Sequence, residues 1–157
     1  MTQDTPFSAP DFSLPSDTGE TVTLSALRGQ AVVLFFYPRD NTPGCTTEAK
    51  GFSADLAAFE AAGAKVFGIS KDSLESHGKF RTKQELTVPL LSDEHGSACE
   101  DFGVWAEKKM YGKSFMGIER ATFLIDGEGQ VVRAWRKVKV PGHVEAVLDA
   151  VKELANG

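Results

Sequence analysis

The chain has 157 residues, 41% hydrophobic and 25% charged, which suits a single domain over 1–157 with a sizeable core. A net charge of −5 and a pI of about 5.2 argue against nucleic acid as a partner and leave small-molecule chemistry open. No apolar run approaches the roughly 20 residues of a membrane span, and Met1 to Pro10 carries Asp4 without an apolar leader segment, so no membrane association or secretory signal is expected and the cytoplasm is the default location.

In chain order, Phe12 and Leu14 enter a hairpin that turns at Ser16–Glu20 and returns over Thr21 to Leu24. A short helical turn at Ser25–Arg28 stops at Gly29. Ala31 to Tyr37 (AVVLFFY) is a continuous apolar run, the pattern of a strand buried on both faces. Pro38 ends it. Cys45 to Ala61 then takes helical spacing, with Ala49, Phe52, Leu56 and Phe59 on one stripe. Lys65 to Ser70 reads as a second buried strand, and Asp72 or Ser73 caps a helix running to Leu86. Val88 to Leu91 is a third strand, followed by a short helix over His95–Phe102.

Ala121 to Ile125 is a fourth strand, and Asp126–Gly129 turns it into an alternating strand over Val131 to Val140. A solvated strand whose lysines discourage edge pairing explains its Arg133, Arg136, Lys137 and Lys139 better than a nucleic-acid site does. An amphipathic helix from His143 to Leu154 closes the chain. Helices between the early strands imply parallel crossovers, and the late tight turn implies an antiparallel hairpin. The expected fold is α/β and thioredoxin-like, a mixed central sheet with helices on both faces and an N-terminal β-hairpin.

Chemistry concentrates in Tyr37-Pro38-Arg39-Asp40-Asn41-Thr42-Pro43-Gly44-Cys45-Thr46-Thr47-Glu48. This segment joins the C-terminal end of a buried strand to a helix start, where open α/β sheets bind ligands. Free backbone N–H groups and the helix dipole favour a thiolate there, and the thiolate is the nucleophile. Thr42 lies within reach of the sulfur or of an oxygen beside it. Pro38 and Pro43 stiffen the loop, and Gly44 lets the backbone approach a bound ligand. A packed core thiol is the bland alternative for Cys45, but its position after a Pro-Gly turn and its polar neighbours speak against it. Arg120 enters a buried strand and needs an anionic partner. Such a cation could pair with the thiolate and stabilise charge as an O–O bond breaks. The alternative is a surface arginine paired with Glu119 or Glu128, and spacing alone does not choose. His77, His95 and His143 show no metal-ligand spacing in sequence, so no metal or other cofactor is expected.

Pro38-x-x-x-Thr42-x-x-Cys45 resembles the peroxiredoxin active-site pattern, and YPRDNTPGCTTEA closely resembles its Q-type, or bacterioferritin-comigratory, subfamily. The likeness extends over Ala9–Phe12, Ser70–Ser73, Phe102–Trp105, Gly117–Arg120 and Phe123–Asp126. It implies a thiol-dependent peroxidase that reduces hydrogen peroxide and organic hydroperoxides through a sulfenic acid at Cys45. By the same likeness Thr42 hydrogen-bonds the peroxide, Pro38 shields the site, Arg120 is the arginine of the pattern, and Gly44 and Glu48 belong to the substrate-binding neighbourhood. As an acid in the first helical turn, Glu48 also has a purely structural reading.

Many relatives carry a resolving cysteine five residues after the nucleophile, where this chain has Lys50, or on the next helix, where it has Arg81. Cys99 remains, read as a packed core thiol, with a resolving role as the alternative. The expectation is a one-cysteine mechanism in which thioredoxin, glutaredoxin or a small thiol resolves the sulfenic acid, in a monomer or weak homodimer. The rivals are a two-cysteine peroxidase using Cys99, a thioredoxin-like disulfide oxidoreductase, which ordinarily needs Cys-x-x-Cys where this chain has Glu48, and a non-enzymatic chaperone or redox-sensing module.

Overall fold

The structure, a computed structural model, describes residues 5–156; the leader reading at Met1–Asp4 falls outside them. A short strand β1 (Phe7–Ser8) precedes the expected hairpin, β2 (Ser13–Pro15) and β3 (Thr21–Thr23), and a 3-10 turn over Leu24–Leu27 follows. Gly29, at φ 97°, ends that turn. The apolar run forms β4 (Ala31–Phe36), where Val33, Leu34, Phe35 and Phe36 expose no surface.

The helix expected over Cys45–Ala61 starts earlier and is divided. Pro43 takes the first helical position of α1 (Pro43–Ala54), which suits its fixed φ and missing N–H. Asp55, at φ −98° and ψ 7°, separates α1 from α2 (Leu56–Ala61). The parallel strand β5 (Ala64–Ser70) leads to α3 (Leu74–Gln84), whose cap is Ser73: its hydroxyl accepts the Ser76 N–H at 3.1 Å. Strand β6 (Leu90–Ser92) and the short α4 (Ala98–Asp101) come next.

The sequence pattern assigned no element between Phe102 and Ala121, yet a hairpin lies there, β7 (Trp105–Met110) and β8 (Lys113–Ile118). Its turn is Tyr111-Gly112, with φ of 52° and 75°. Strand β9 (Ala121–Ile125) precedes β10 (Gln130–Trp135), which stops five residues short of the expected Val140. Lys137 turns the chain at φ 49°, and the Val138 N–H donates to the Arg120 carbonyl at 3.1 Å. Helix α5 (His143–Asn156) ends the described residues.

Six strands form one sheet in the order β1-β10-β9-β4-β5-β6, parallel from β4 to β6 and antiparallel elsewhere. β1 covers β10 only at Gln130 and Val131; Arg133 packs over Trp135 and Arg136, just past the strand, over Phe123, while Lys137 and Lys139 lie beyond the end of β10. The pleat of β4 feeds two cores. Val32, Leu34 and Phe36 join Phe123, Ile125, Cys99 and Phe102 on one face. Val33, Phe35 and Tyr37 join Cys45, Phe52, Phe80, Leu124 and Val147 on the other. Phe35 stacks on Phe52 with centroids 4.5 Å apart, and a Cβ on Gly68 would stand 2.7 Å from the Phe35 ring. Each fully buried Phe of this kind contributes about 1.5–3 kcal/mol, and the packing fixes where α1 begins.

Candidate active site

Past Phe36 the chain leaves the sheet through Tyr37 and Pro38 and enters α1 at Thr42, which takes an extended N-cap conformation. The Thr42 hydroxyl does not cap the helix; it donates to the Arg39 carbonyl at 2.8 Å. The first ladder bond runs from the Thr46 N–H to the Thr42 carbonyl, 2.9 Å. Cys45 is thus the third helical residue, and its N–H lies outside the helical ladder. Its side chain is 1% exposed.

Register brings the cation to it. Ala121 of β9 pairs with Phe36 of β4, so Arg120 sits beside the strand end from which the Cys45 loop departs. Its Nη2 donates to Cys45 Sγ at 3.3 Å and its Nη1 to Glu48 Oε1 at 2.7 Å. Glu48 lies one turn beyond Cys45 on the same helix face. The alternative surface partners read from sequence, Glu119 or Glu128, are not the carboxylate Arg120 takes. Gly44 has a specific role in this arrangement: a Cβ there would stand 3.0 Å from Arg120 Nη2, so the close approach is that of the guanidinium.

Behind Arg120 the site is dry. Glu48 exposes no surface, so it reaches a ligand only through the arginine. Burial raises its carboxyl to about 7 against the opposing charge and hydrogen bond of Arg120. Glu48 Oε2 has no hydrogen-bond partner among the described residues, and His143 Nε2 lies 3.8 Å from it. That nitrogen instead shares a 2.8 Å hydrogen bond with Thr122 Oγ1. Burial, reinforced by the Arg120 charge, lowers the His143 imidazole to about 4, so it is neutral near pH 7. Sequence reading missed Thr122 and His143, whose only signal was their place on a buried strand and at a helix start.

The remaining thiol lies elsewhere. Cys99 belongs to the core on the opposite face of the sheet from Cys45. Asp93 accepts the backbone N–H groups of Ala98 and Cys99 at 3.0 and 2.9 Å, and burial together with this carboxylate pushes the Cys99 thiol far up. Arg81 is clamped: it pairs with the buried Asp17 and donates to the Leu86 and Val88 carbonyls at 2.6 and 2.8 Å. Lys50 is exposed. Asp40, Asp72 and His77, distant in sequence, bring ligand-type atoms within 4.8 Å of one another, a grouping that their spacing concealed. Hydrogen bonds inside the protein engage all three.

The AhpC/TSA family pattern matches residues 7–134. Peroxiredoxin Bcp of Xanthomonas campestris pv. campestris is 53% identical over 142 residues, 90% of this chain and 89% of that protein. Peroxiredoxin Bcp of Bacillus subtilis is 50% identical over 147 residues, 94% of each chain. Among solved structures, the bacterioferritin comigratory protein of Xanthomonas campestris, studied for alkyl peroxide reduction in trapped intermediate and ligand complexes, superposes with a TM-score of 0.87 at 51% identity, covering 92% of each chain. A cysteine-to-serine mutant of Xylella fastidiosa PrxQ superposes with a TM-score of 0.92 at 42% identity, covering 99% of each chain.

Proposed function

Because this chain belongs to the AhpC/TSA family and is a peroxiredoxin, a thiol-dependent peroxidase, we propose that Cys45 is its nucleophile and that it works by a one-cysteine mechanism. The observation that carries the reading is Arg120 donating to Cys45 Sγ while Glu48 holds its other arm. The thiolate attacks the terminal oxygen of a hydroperoxide. An S–O bond forms, the O–O bond breaks, and the leaving alkoxide or hydroxide takes a proton to depart as alcohol or water. Cys45 is oxidised to a sulfenic acid. Arg120 faces both the thiolate and the charge that develops on the oxygens, so it stabilises the transition state without reorganising. Thr42 spends its proton on the Arg39 carbonyl, which leaves its oxygen lone pairs free to accept the peroxide O–H. Pro38, half-buried at the loop entrance, limits water.

Beside the first turn of α1, a groove of about 670 Å³ lined by Pro43, Gly44, Thr47, Val140, Pro141 and Val144 offers room for the tail of an organic hydroperoxide. An external thiol then attacks the sulfenic sulfur, releasing water, and a second thiol frees Cys45. Thioredoxin, glutaredoxin or a small thiol fits that role. A reducing cytoplasm suits two unpaired cysteines, and a monomer or weak homodimer suffices, since one chain supplies every group named. Cys99 is not proposed as resolver: a disulfide needs Cα atoms about 4.4–6.8 Å apart, and the sheet stands between the two thiols.

Intact mass after one equivalent of peroxide tests this. Without reductant the protein should hold a trappable sulfenic acid or a Cys45–Cys45 dimer. Cys45→Ser should lose all turnover and Cys99→Ser should keep most of it. A quantitative Cys45–Cys99 disulfide within one chain would overturn the one-cysteine mechanism.

A further inference from the structure

His77 is a buried histidine that the reaction described above does not use. It lies on α3 and exposes no surface, so water satisfies neither ring nitrogen. Nδ1 is 2.7 Å from Asp40 Oδ2, and Nε2 is 3.0 Å from the Leu91 carbonyl oxygen of β6. Both partners are acceptors, so the ring carries a proton on each nitrogen. Asp40 is correspondingly surrounded by donors. Its Oδ2 also accepts the Ser76 hydroxyl at 2.7 Å, and its Oδ1 accepts the Tyr37 hydroxyl at 2.6 Å. The Asp40 N–H donates to Asp72 Oδ2 at 2.8 Å.

Asp40 stands in the loop between β4 and α1, two residues before Thr42 and five before Cys45. Asn41, between Asp40 and Thr42, sits at φ 62°, a left-handed conformation that persists only when its surroundings hold it. We propose that His77 is a positioning residue for the peroxidase reaction: as an imidazolium it anchors Asp40, and through Asp40 it fixes the loop that places Thr42 and the first turn of α1. This rests on Cys45 as the nucleophile.

The groups facing His77 are Tyr37 from the end of β4, Asp40 from the loop, Asp72 from the turn before α3, and the Leu91 carbonyl from β6. Burial alone would lower the imidazole, but the hydrogen bond and charge of Asp40, the Leu91 carbonyl and the Asp72 charge outweigh it, and the net shift is upward from 6.5. The anchor is therefore complete below the ordinary imidazole value of 6.5 and is lost as pH rises through the raised value. Deprotonation leaves a ring lone pair facing an oxygen, and the loop loosens.

The test is the pH dependence of the second-order rate of Cys45 oxidation, measured alongside a histidine NMR titration of the folded protein. The wild-type rate, normalised to the thiolate fraction read by its absorbance, should fall where the His77 signal titrates. His77→Gln should lower the rate below pH 6.5 by about 10- to 10²-fold, up to the scale of a misplaced reacting group, and should lack the fall at higher pH. Asp40→Asn should move the His77 titration to lower pH and cost a similar factor. The double variant should lose no more than the worse single one, as two members of one unit do. A normalised wild-type rate that stays level through the His77 titration, a His77→Gln variant at the wild-type rate, or multiplicative losses would each overturn the proposal. A turnover-competent Cys45→Ser would overturn the nucleophile assignment instead, so the two failures are distinct.

Discussion

A single guanidinium between a thiol and a carboxylate has its freedom removed from three sides. Glu48 takes one nitrogen of Arg120, Cys45 Sγ takes another, and Gly44 leaves the space that a Cβ would fill. Replacing Arg120 with Met keeps bulk and removes the donors, and should lower the rate with peroxide about 10²–10³-fold, the usual cost of one preorganised transition-state donor. Arg120→Lys should recover only part of it, because a point-like ammonium cannot serve both partners in the fork geometry; stopped-flow oxidation of Cys45 reads both. If the lysine variant matched wild type, charge alone would suffice. At this scale the loop was legible because Pro38, Thr42, Gly44 and Cys45 fall within one short stretch of chain and their types carry their chemistry. The partner of Arg120 was not, since Glu48 is 72 positions away and only strand register joins them. Thr122 and His143 look in sequence like an ordinary strand residue and an ordinary helix start.

Among the elements, α3 is fastened twice, by His77 to the loop and by Arg81 to Asp17 in the turn between β2 and β3. Arg81→Met strips the buried Asp17 of its cation and frees two carbonyls; the Leu90 N–H at 3.0 Å remains as its compensation. The loss should be about 2–3 kcal/mol in urea unfolding at neutral pH. Arg81→Cys removes the same clamp and supplies a thiol at the helix position where the family resemblance places a resolving cysteine, so peroxide should produce a Cys45 disulfide that peptide mapping detects. Its absence would mean that α3 stays closed for reasons other than Arg81. Elements with a continuous buried run or a clear stripe, such as β4, β5, β9 and α5, could be read directly. The β7–β8 hairpin could not: most of its side chains are exposed, with Met110, Tyr111, Phe115 and Met116 at the surface, so no period of two marks an inner face. Its Tyr-Gly turn also lacks the Asn-Gly or Asp-Gly signature.

Across the whole molecule, the sheet divides two cores, and its Cys45 side buries two ionisable groups, His143 and Glu48, that shift in opposite senses. His143 is held at about 4 in the folded protein against an ordinary 6.5. A lowered value contributes stability that is complete above 6.5 and lost as pH falls through about 4, worth about 3 kcal/mol at most. Glu48, raised to about 7, acts in the opposite sense: its contribution is present below its ordinary 4.5 and lost as pH rises through 7. The urea midpoint of His143→Asn should therefore fall less than that of the wild type between pH 6.5 and 4, and an unchanged slope would show that another group governs acid unfolding. Cys99 gives this architecture a further use. It lies under the face opposite Cys45, with no exposed surface, and no reagent meets it while that core stays shut. Its rate of alkylation in a Cys45→Ser background is thus a stopwatch built into the fold: each modified molecule records one opening of the core, and the dependence on reagent concentration separates how often it opens from how long it stays open.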